Sequence, residues 1–115
     1  MDMKKLILID LDGVLNKYSG DFRPDYIPPL NSQAEDMLKK LHKHYNLKLL
    51  TTRNATLAAQ WLSENNLDSY FVGITNIKEL CWLFIDDRSI CFDGDYETLY
   101  EKVKYFKPWY KKVEI

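Results

Sequence analysis

The chain has 115 residues, of which 46% are hydrophobic and 14% aromatic, so it can bury one core but not two separate ones. Its formal net charge is −1, which excludes a chain-wide field that would attract nucleic acid or an anionic membrane. The apolar runs are far shorter than the roughly 20 residues of a membrane span, and no secretory signal follows Lys4 and Lys5, so we expect one cytoplasmic domain over residues 1–115 without membrane contact.

The first half of the chain predicts a strand, a loop and a helix. Residues 5–9 are an apolar run typical of a buried strand, and residues 16–30, which contain Gly20 and three prolines, predict a loop. Ser32 opens a capping-box pattern, Ser-Gln-Ala-Glu, at the start of a predicted helix. The apolar residues of this helix recur at helical spacing: Ala34, Met37, Leu38 and Leu41.

The second half continues the alternation of strands and helices. Strands are predicted at residues 47–50, 70–74 and 82–85, and Asn54 can cap a helix that buries Ala58, Trp61 and Leu62. A last helix is expected to begin near Asp95 and to end before Pro108, with one apolar face formed by Tyr96, Leu99, Tyr100 and Val103. This order predicts an α/β fold with a doubly wound, Rossmann-like, mainly parallel sheet flanked by helices.

Polar side chains follow the predicted strands at the point where each strand ends. They are Asp10 and Asp12 after the first strand, Thr51 after the second, Lys78 beyond the third, and Asp86 and Asp87 after the fourth. Because the carboxyl ends of parallel strands meet at one edge of the sheet, we expect these side chains to share a crevice. Crowded carboxylates repel one another, and a hard divalent cation is the simplest agent that neutralises them. Ligation by oxygen alone favours Mg²⁺ over zinc.

Four motifs resemble those of the haloacid dehalogenase superfamily of hydrolases. Asp10-Leu11-Asp12-Gly13-Val14, after an apolar strand, is similar to the first motif, and Leu49-Leu50-Thr51-Thr52-Arg53 to the second. Lys78 resembles the third motif and Phe84-Ile85-Asp86-Asp87 the fourth, in matching order and spacing from Leu6 to Asp87. The dehalogenases of the superfamily have no acid at the position of Asp12, whereas its phosphatases do. The resemblance therefore implies a phosphatase, that is, a Mg²⁺-dependent phosphoric monoester hydrolase.

The resemblance also implies a role for each acidic residue. Asp10 would attack phosphorus and form an aspartyl-phosphate, and Asp12 would act first as general acid and then as general base. The Asp10 carboxylate, the Asp12 backbone carbonyl and Asp86 would hold Mg²⁺, with Asp87 as an outer ligand. In isolation, an Asp after a strand is equally typical of a helix cap.

Two further residues would contact the phosphoryl group. Thr51 would donate its hydroxyl, with Thr52 as an adjacent competitor, and Lys78 would supply positive charge as the transition state forms. The superfamily often inserts a cap domain after the first motif, but here only residues 16–30 are available, so we expect a minimal cap or none. An open site would admit bulky phosphorylated substrates, with nucleic acid only as a substrate.

Other interpretations remain open. A receiver-type phosphoacceptor domain also gathers acids, a Thr and a Lys at strand ends, but in receivers the Lys comes last, whereas Lys78 precedes Asp86. A non-catalytic, haloacid dehalogenase-like binding protein is the second alternative. Residues 105–112 interleave aromatics with lysines, which suits base stacking. We expect these aromatics to pack across the sheet edge or at a contact between subunits of a homo-oligomer.

Overall fold

The computed structural model describes residues 3–111 and contains one sheet of parallel strands. The strands are β1 (Leu6–Asp10), β2 (Asn46–Leu50), β3 (Phe71–Thr75) and β4 (Leu83–Ile85), in the spatial order β3-β2-β1-β4. The helices are α1 (Ala34–His42), α2 (Ala55–Glu64) and α3 (Tyr96–Lys104), with a short 3-10 helix at Asp68–Tyr70. The predicted α/β, Rossmann-like fold in a single domain is thus confirmed.

The core lies on the face of the sheet covered by α1 and α2. Ile7 and Ile9 of β1 are buried there with Leu47 and Leu49 of β2, since alternate residues of a strand point to the same face. The helices contribute Ala34 and Leu38 from α1 and Ala58, Trp61 and Leu62 from α2. Full burial of each larger side chain contributes roughly 1.5–3 kcal/mol, so this face accounts for much of the hydrophobic stabilisation.

The opposite face is covered more thinly. Leu8 is fully buried and lies beside the half-buried Phe84 of β4, its partner in the strand register. The connection from β3 to β4 is irregular, and its Glu79 reaches Lys48 of β2 in an ion pair of 2.9 Å. No residue of α3 is buried, and the predicted apolar face of α3 is largely exposed.

The helix starts match the sequence prediction in two cases and depart from it in one. Asn54 caps α2 by accepting a hydrogen bond from the Leu57 N–H (3.1 Å), and Asp95 caps α3 in the same way. The capping box predicted at Ser32 is wrong: α1 begins at Ala34, after Gln33, without a side-chain cap. The backbone carbonyl of Asn31 accepts from the Ala34 N–H instead, at 3.1 Å.

Residues 16–30 form a loop that is tied down at its base and near its end. Asn16 and Leu30 form an antiparallel bridge, and Ile27 enters the core. The Trp61 indole donates to the Pro28 carbonyl at 3.2 Å. The loop therefore has a defined position beside the sheet, although it contains no helix and its strand pairing is limited to this one bridge. Within residues 3–111, no helix is both long and apolar enough to cross a membrane.

Candidate active site

The predicted polar residues line one cavity at the carboxyl edge of the sheet. Asp10 is the last residue of β1, Thr51 directly follows β2, and Asp86 directly follows β4, so these neighbouring strands deliver them side by side. The cavity has a volume of about 520 Å³. Its lining contains every predicted site residue, namely Asp10, Asp12, Thr51, Lys78, Asp86 and Asp87, together with Tyr18, Phe22, Thr52, Asn76 and Arg88 among others.

Three carboxylates form the acidic centre of this cavity. Asp10, Asp86 and Asp87 each offer one oxygen, and these oxygens all lie within 4.8 Å of one another. Burial, followed by hydrogen bonds and charge repulsion from Asp86 and Asp87, raises the pKa of Asp10 from its ordinary 3.8 to about 9. Without a cation, the protein therefore keeps Asp10 protonated at neutral pH.

The other two acids respond differently to the same crowding. Burial, followed by the hydrogen bond with Asp86, raises the pKa of Asp87. Burial would also raise the pKa of Asp86, but hydrogen bonds from Asp87, Asp10 and the Arg88 backbone outweigh it and lower that pKa. Asp86 Oδ1 accepts from the Asp87 N–H at 2.7 Å. The three acids share protons and would accommodate a hard divalent cation in their place, so the donor set fits Mg²⁺.

Asp12 lies outside this acidic centre and has its own partners. Its Oδ2 accepts from Arg53 Nε at 2.8 Å, and its Oδ1 accepts from Asn16 Nδ2 at 3.0 Å. A carboxylate has about four acceptor positions, so each oxygen can still engage a substrate. Arg53 is 1% exposed at its side chain, and its Nη2 is buried without a partner among the described residues. Sequence reasoning used Arg53 only to align a motif and missed this ion pair.

Thr51 and Lys78 approach the cavity from different depths. Thr51 is nearly buried, and its Oγ1 accepts from the Arg53 N–H at 3.1 Å, which leaves the hydroxyl hydrogen free to donate. Thr52 is exposed at the rim. Lys78 is exposed, with Nζ 5.6 Å from the centre of the Phe84 ring. Lys78 thus places its charge at the mouth of the cavity.

Gly13 is required where the loop after β1 passes Asp87. Its φ is +82°, a conformation that side chains disfavour. A Cβ at this position would also lie 2.7 Å from Asp87 Cγ and 2.9 Å from Tyr110 Cε2. The backbone at Gly13 therefore passes directly beside the carboxylate of Asp87, where a side chain would collide with it.

The C-terminal segment packs against the same loop. The Trp109 indole donates to the Gly13 carbonyl, and the Tyr110 hydroxyl donates to Asp87 Oδ2 at 2.8 Å. These two aromatics therefore pack at the carboxyl end of the sheet, and the expected contact between subunits stays a prediction. Lys112, the last residue of the predicted aromatic and basic segment, lies outside the described residues. The alternation of aromatics and lysines gave no signal for a contact with Asp87.

Comparison with known proteins supports the fold alone. The chain matches no protein-family model and no curated protein. It is similar to the solved structure of a conserved protein from Bacteroides thetaiotaomicron, with a TM-score of 0.61 and 24% sequence identity. The match covers 98% of this chain and 100% of the other. That protein is described as a conserved protein, without a stated activity.

Proposed function

We propose that this chain is a Mg²⁺-dependent phosphoric monoester hydrolase of the haloacid dehalogenase type. The observation that carries the proposal is the convergence of the acidic centre with Thr51 and Lys78 in one open cavity, at the ends of β1, β2 and β4. Carboxylates supply a nucleophile and metal ligands, while a hydroxyl and an ammonium group supply charge for phosphoryl oxygens. Within residues 3–111 no cap domain separates the cavity from solvent, which suits a bulky phosphorylated substrate in the cytoplasm.

The proposed reaction has two displacement steps. The first begins with Asp10 as the carboxylate, its proton having passed to solvent, and with Asp12 protonated. An Asp10 oxygen attacks phosphorus, the bond to the leaving oxygen breaks, and Asp12 donates its proton to that oxygen. The products are the free alcohol and an aspartyl-phosphate. In the second, water attacks phosphorus, Asp12 takes a proton from the water, and the bond between phosphorus and Asp10 breaks. Inorganic phosphate leaves, and both aspartates return to their starting forms.

The residues around Asp10 prepare it for attack. The carboxylates of Asp10, Asp86 and Asp87, with the Asp12 backbone carbonyl, would hold Mg²⁺, which when bound supplies positive charge to the nucleophile and the phosphoryl oxygens. Asp10 must lose its proton before it attacks, because only the carboxylate has a free electron pair of sufficient reactivity. Thr51 would orient the phosphoryl group by donating its hydroxyl hydrogen to one oxygen.

The sheet order argues against the receiver alternative. Receiver domains of the flavodoxin-like class have the strand order 2-1-3-4-5. Here β1 lies between β2 and β4, and β3 lies outside β2. The non-catalytic alternative predicts no turnover with any phosphate ester.

A turnover assay separates the three functions. We expect purified protein to release phosphate from an aryl phosphate over many turnovers with Mg²⁺, and acid quench to trap phosphate on Asp10. Asp10→Asn should abolish both signals, and Asp25→Asn, at an exposed loop residue, should retain them. A receiver would take up one phosphoryl group from acetyl phosphate without rapid turnover. Full turnover by Asp10→Asn, or in excess chelator, would refute the proposed chemistry.

A further inference from the structure

Phe22 is an aromatic residue at the rim of the proposed active-site cavity. It belongs to the loop of residues 16–30, and it lines the same cavity as Asp10 and Thr51. Phe22 is 50% exposed, whereas a large apolar group gains stability from burial. Tyr18, from the same loop, is a second aromatic residue in the lining. The rim therefore presents apolar ring surface beside the polar centre.

The guanidinium group of Arg53 contacts one face of the Phe22 ring. The guanidinium carbon of Arg53 lies 4.6 Å from the centre of the Phe22 ring, at cation–π distance. Arg53 itself is fixed, since its Nε donates to Asp12 and its Nη1 donates to the Arg23 carbonyl at 2.8 Å. The second bond attaches the loop next to Phe22. One face of the ring is thus occupied by a hydrogen-bonded cation, and Phe22 also lines the cavity.

From this arrangement we propose that Phe22 is a stacking platform for the planar base of a leaving nucleoside, so that the substrate class is nucleoside monophosphates. The inference rests on the proposed function and adds a substrate class to it. Every nucleobase has a π-face that can stack on an aromatic side chain without a base-specific hydrogen bond. A cavity of about 520 Å³ lies within the usual range for small-molecule sites, and it can hold a phosphoryl group with part of a nucleoside.

The cation behind the ring favours a base over a sugar. Sugars contact aromatic rings through C–H groups that are attracted to the negative π-face. Arg53 covers one face of the Phe22 ring and draws electron density away from the opposite face, which is the face that a sugar could contact. Stacking of a nucleobase depends less on a negative face, because dispersion and offset contacts dominate it. A hexose phosphate is therefore the competing substrate that this arrangement selects against.

Substrate preference and its dependence on Phe22 test the platform. The probes are UMP, AMP, glucose 6-phosphate and glycerol phosphate, each with Mg²⁺. We expect the wild-type protein to have a higher kcat/KM for both nucleotides than for the other two esters. Phe22→Ala should lower kcat/KM for the nucleotides about 5–100-fold more than for glycerol phosphate, which is the range for loss of one stacked base.

Two further variants separate stacking from packing. Phe22→Leu keeps an apolar cover over Arg53 but removes the ring, so it should reproduce the selective loss, whereas Phe22→Tyr should retain nucleotide preference. Phe92→Ala is the matched control, because Phe92 is 48% exposed and does not line the cavity. A higher kcat/KM for glucose 6-phosphate, or equal losses on all substrates in Phe22→Leu, would overturn the platform.

Binding to an inactive variant tests the platform apart from the chemistry. Calorimetry of UMP with Asp10→Asn protein should give a dissociation constant about 5–100-fold tighter than for the double variant that also carries Phe22→Leu. If no ester is hydrolysed but this difference holds, the proposed function fails and the platform stands. If hydrolysis is confirmed but UMP binds both proteins equally, the platform fails and the proposed function stands.

Discussion

Replacing Asp10 by Asn should stabilise the metal-free protein, and the gain should grow with pH. Burial and the neighbouring acids raise the pKa of Asp10 from 3.8 to about 9. In the unfolded chain Asp10 ionises near pH 4, whereas the folded protein keeps it protonated to much higher pH. Its contribution to stability is therefore complete below pH 4 and is lost as the pH rises toward 9. An Asn is neutral at every pH and avoids this loss.

The size of the effect follows from the difference between the pKa of Asp10 in the unfolded chain and its pKa in the folded protein. At about 1.36 kcal/mol per pH unit, linkage gives a ceiling near 6 kcal/mol at pH 8. The cavity is open to solvent, which screens the acids, so we expect roughly a third of this, about 2 kcal/mol. For a domain of 115 residues, that is a rise in Tm of about 8 °C at pH 8 and of about 2 °C at pH 5.

Thermal melts in excess chelator at pH 5 and pH 8 measure the effect. Asp25→Asn is the control, since it removes one carboxylate from an exposed loop position and should give no comparable rise. Adding Mg²⁺ should reduce the difference in Tm between Asp10→Asn and the wild type, because the wild-type site binds the cation more strongly than the Asn variant. A gap that is independent of pH, or a wild-type protein that is the more stable of the two at pH 8, would refute the account of crowding at Asp10.

Three further predictions concern the metal and the residues around it. Mg²⁺ at about 100 times its dissociation constant should stabilise the fold by about 2.7 kcal/mol in melts, and Ca²⁺ should compete in binding without supporting turnover, because it tolerates bidentate carboxylates that leave Asp10 no free oxygen. Tyr110→Phe removes the hydrogen bond to Asp87, so it should weaken Mg²⁺ binding about 10-fold or more in a titration followed by Tm, whereas Tyr105→Phe, at an exposed ring, should not. Asp12→Ala should slow hydrolysis of an alkyl phosphate about 10²–10⁴-fold, but it should slow the attack of Asp10 on an aryl phosphate less. Because the second step still needs Asp12 as a base, rapid quench with the aryl phosphate should reveal accumulated phosphoenzyme. Equal losses on both substrates without an intermediate would reject the acid and base roles of Asp12.

The sequence predicted the elements and the convergence of the acids because both depend on local patterns. Alternating apolar runs and helical faces locate the strands and helices, and the rule for carboxyl ends of parallel strands places Asp10 next to Asp86. The start of α1 was misplaced because Asn31, rather than Ser32, offers the carbonyl that receives the first helical N–H. That choice depends on the fixed base of the preceding loop, which no local pattern records.

Contacts between distant segments could not be predicted in the same way. Tyr110 reaches Asp87 only because residues after α3 return to the carboxyl end of the sheet. Arg53 pairs with Asp12 across two strands, and the same guanidinium supports Phe22. Each of these contacts joins residues far apart in sequence, and the aromatic or basic character of a residue alone is compatible with many partners.

Arg53 contacts two residues of the cavity lining, Asp12 and Phe22, in a way that suits the proposed chemistry. Asp10, Asp86 and Asp87 form the acidic centre. Asp12 lies outside it and is paired with Arg53, which also contacts the face of the Phe22 ring. In the proposed reaction, the acidic centre must act on the phosphoryl group, while the general acid must reach the leaving oxygen. Arg53 would therefore position both the nucleoside that stacks on Phe22 and the proton donor Asp12. Loss of Arg53 should therefore disturb proton transfer and substrate preference together, although neither Asp12 nor Phe22 is changed.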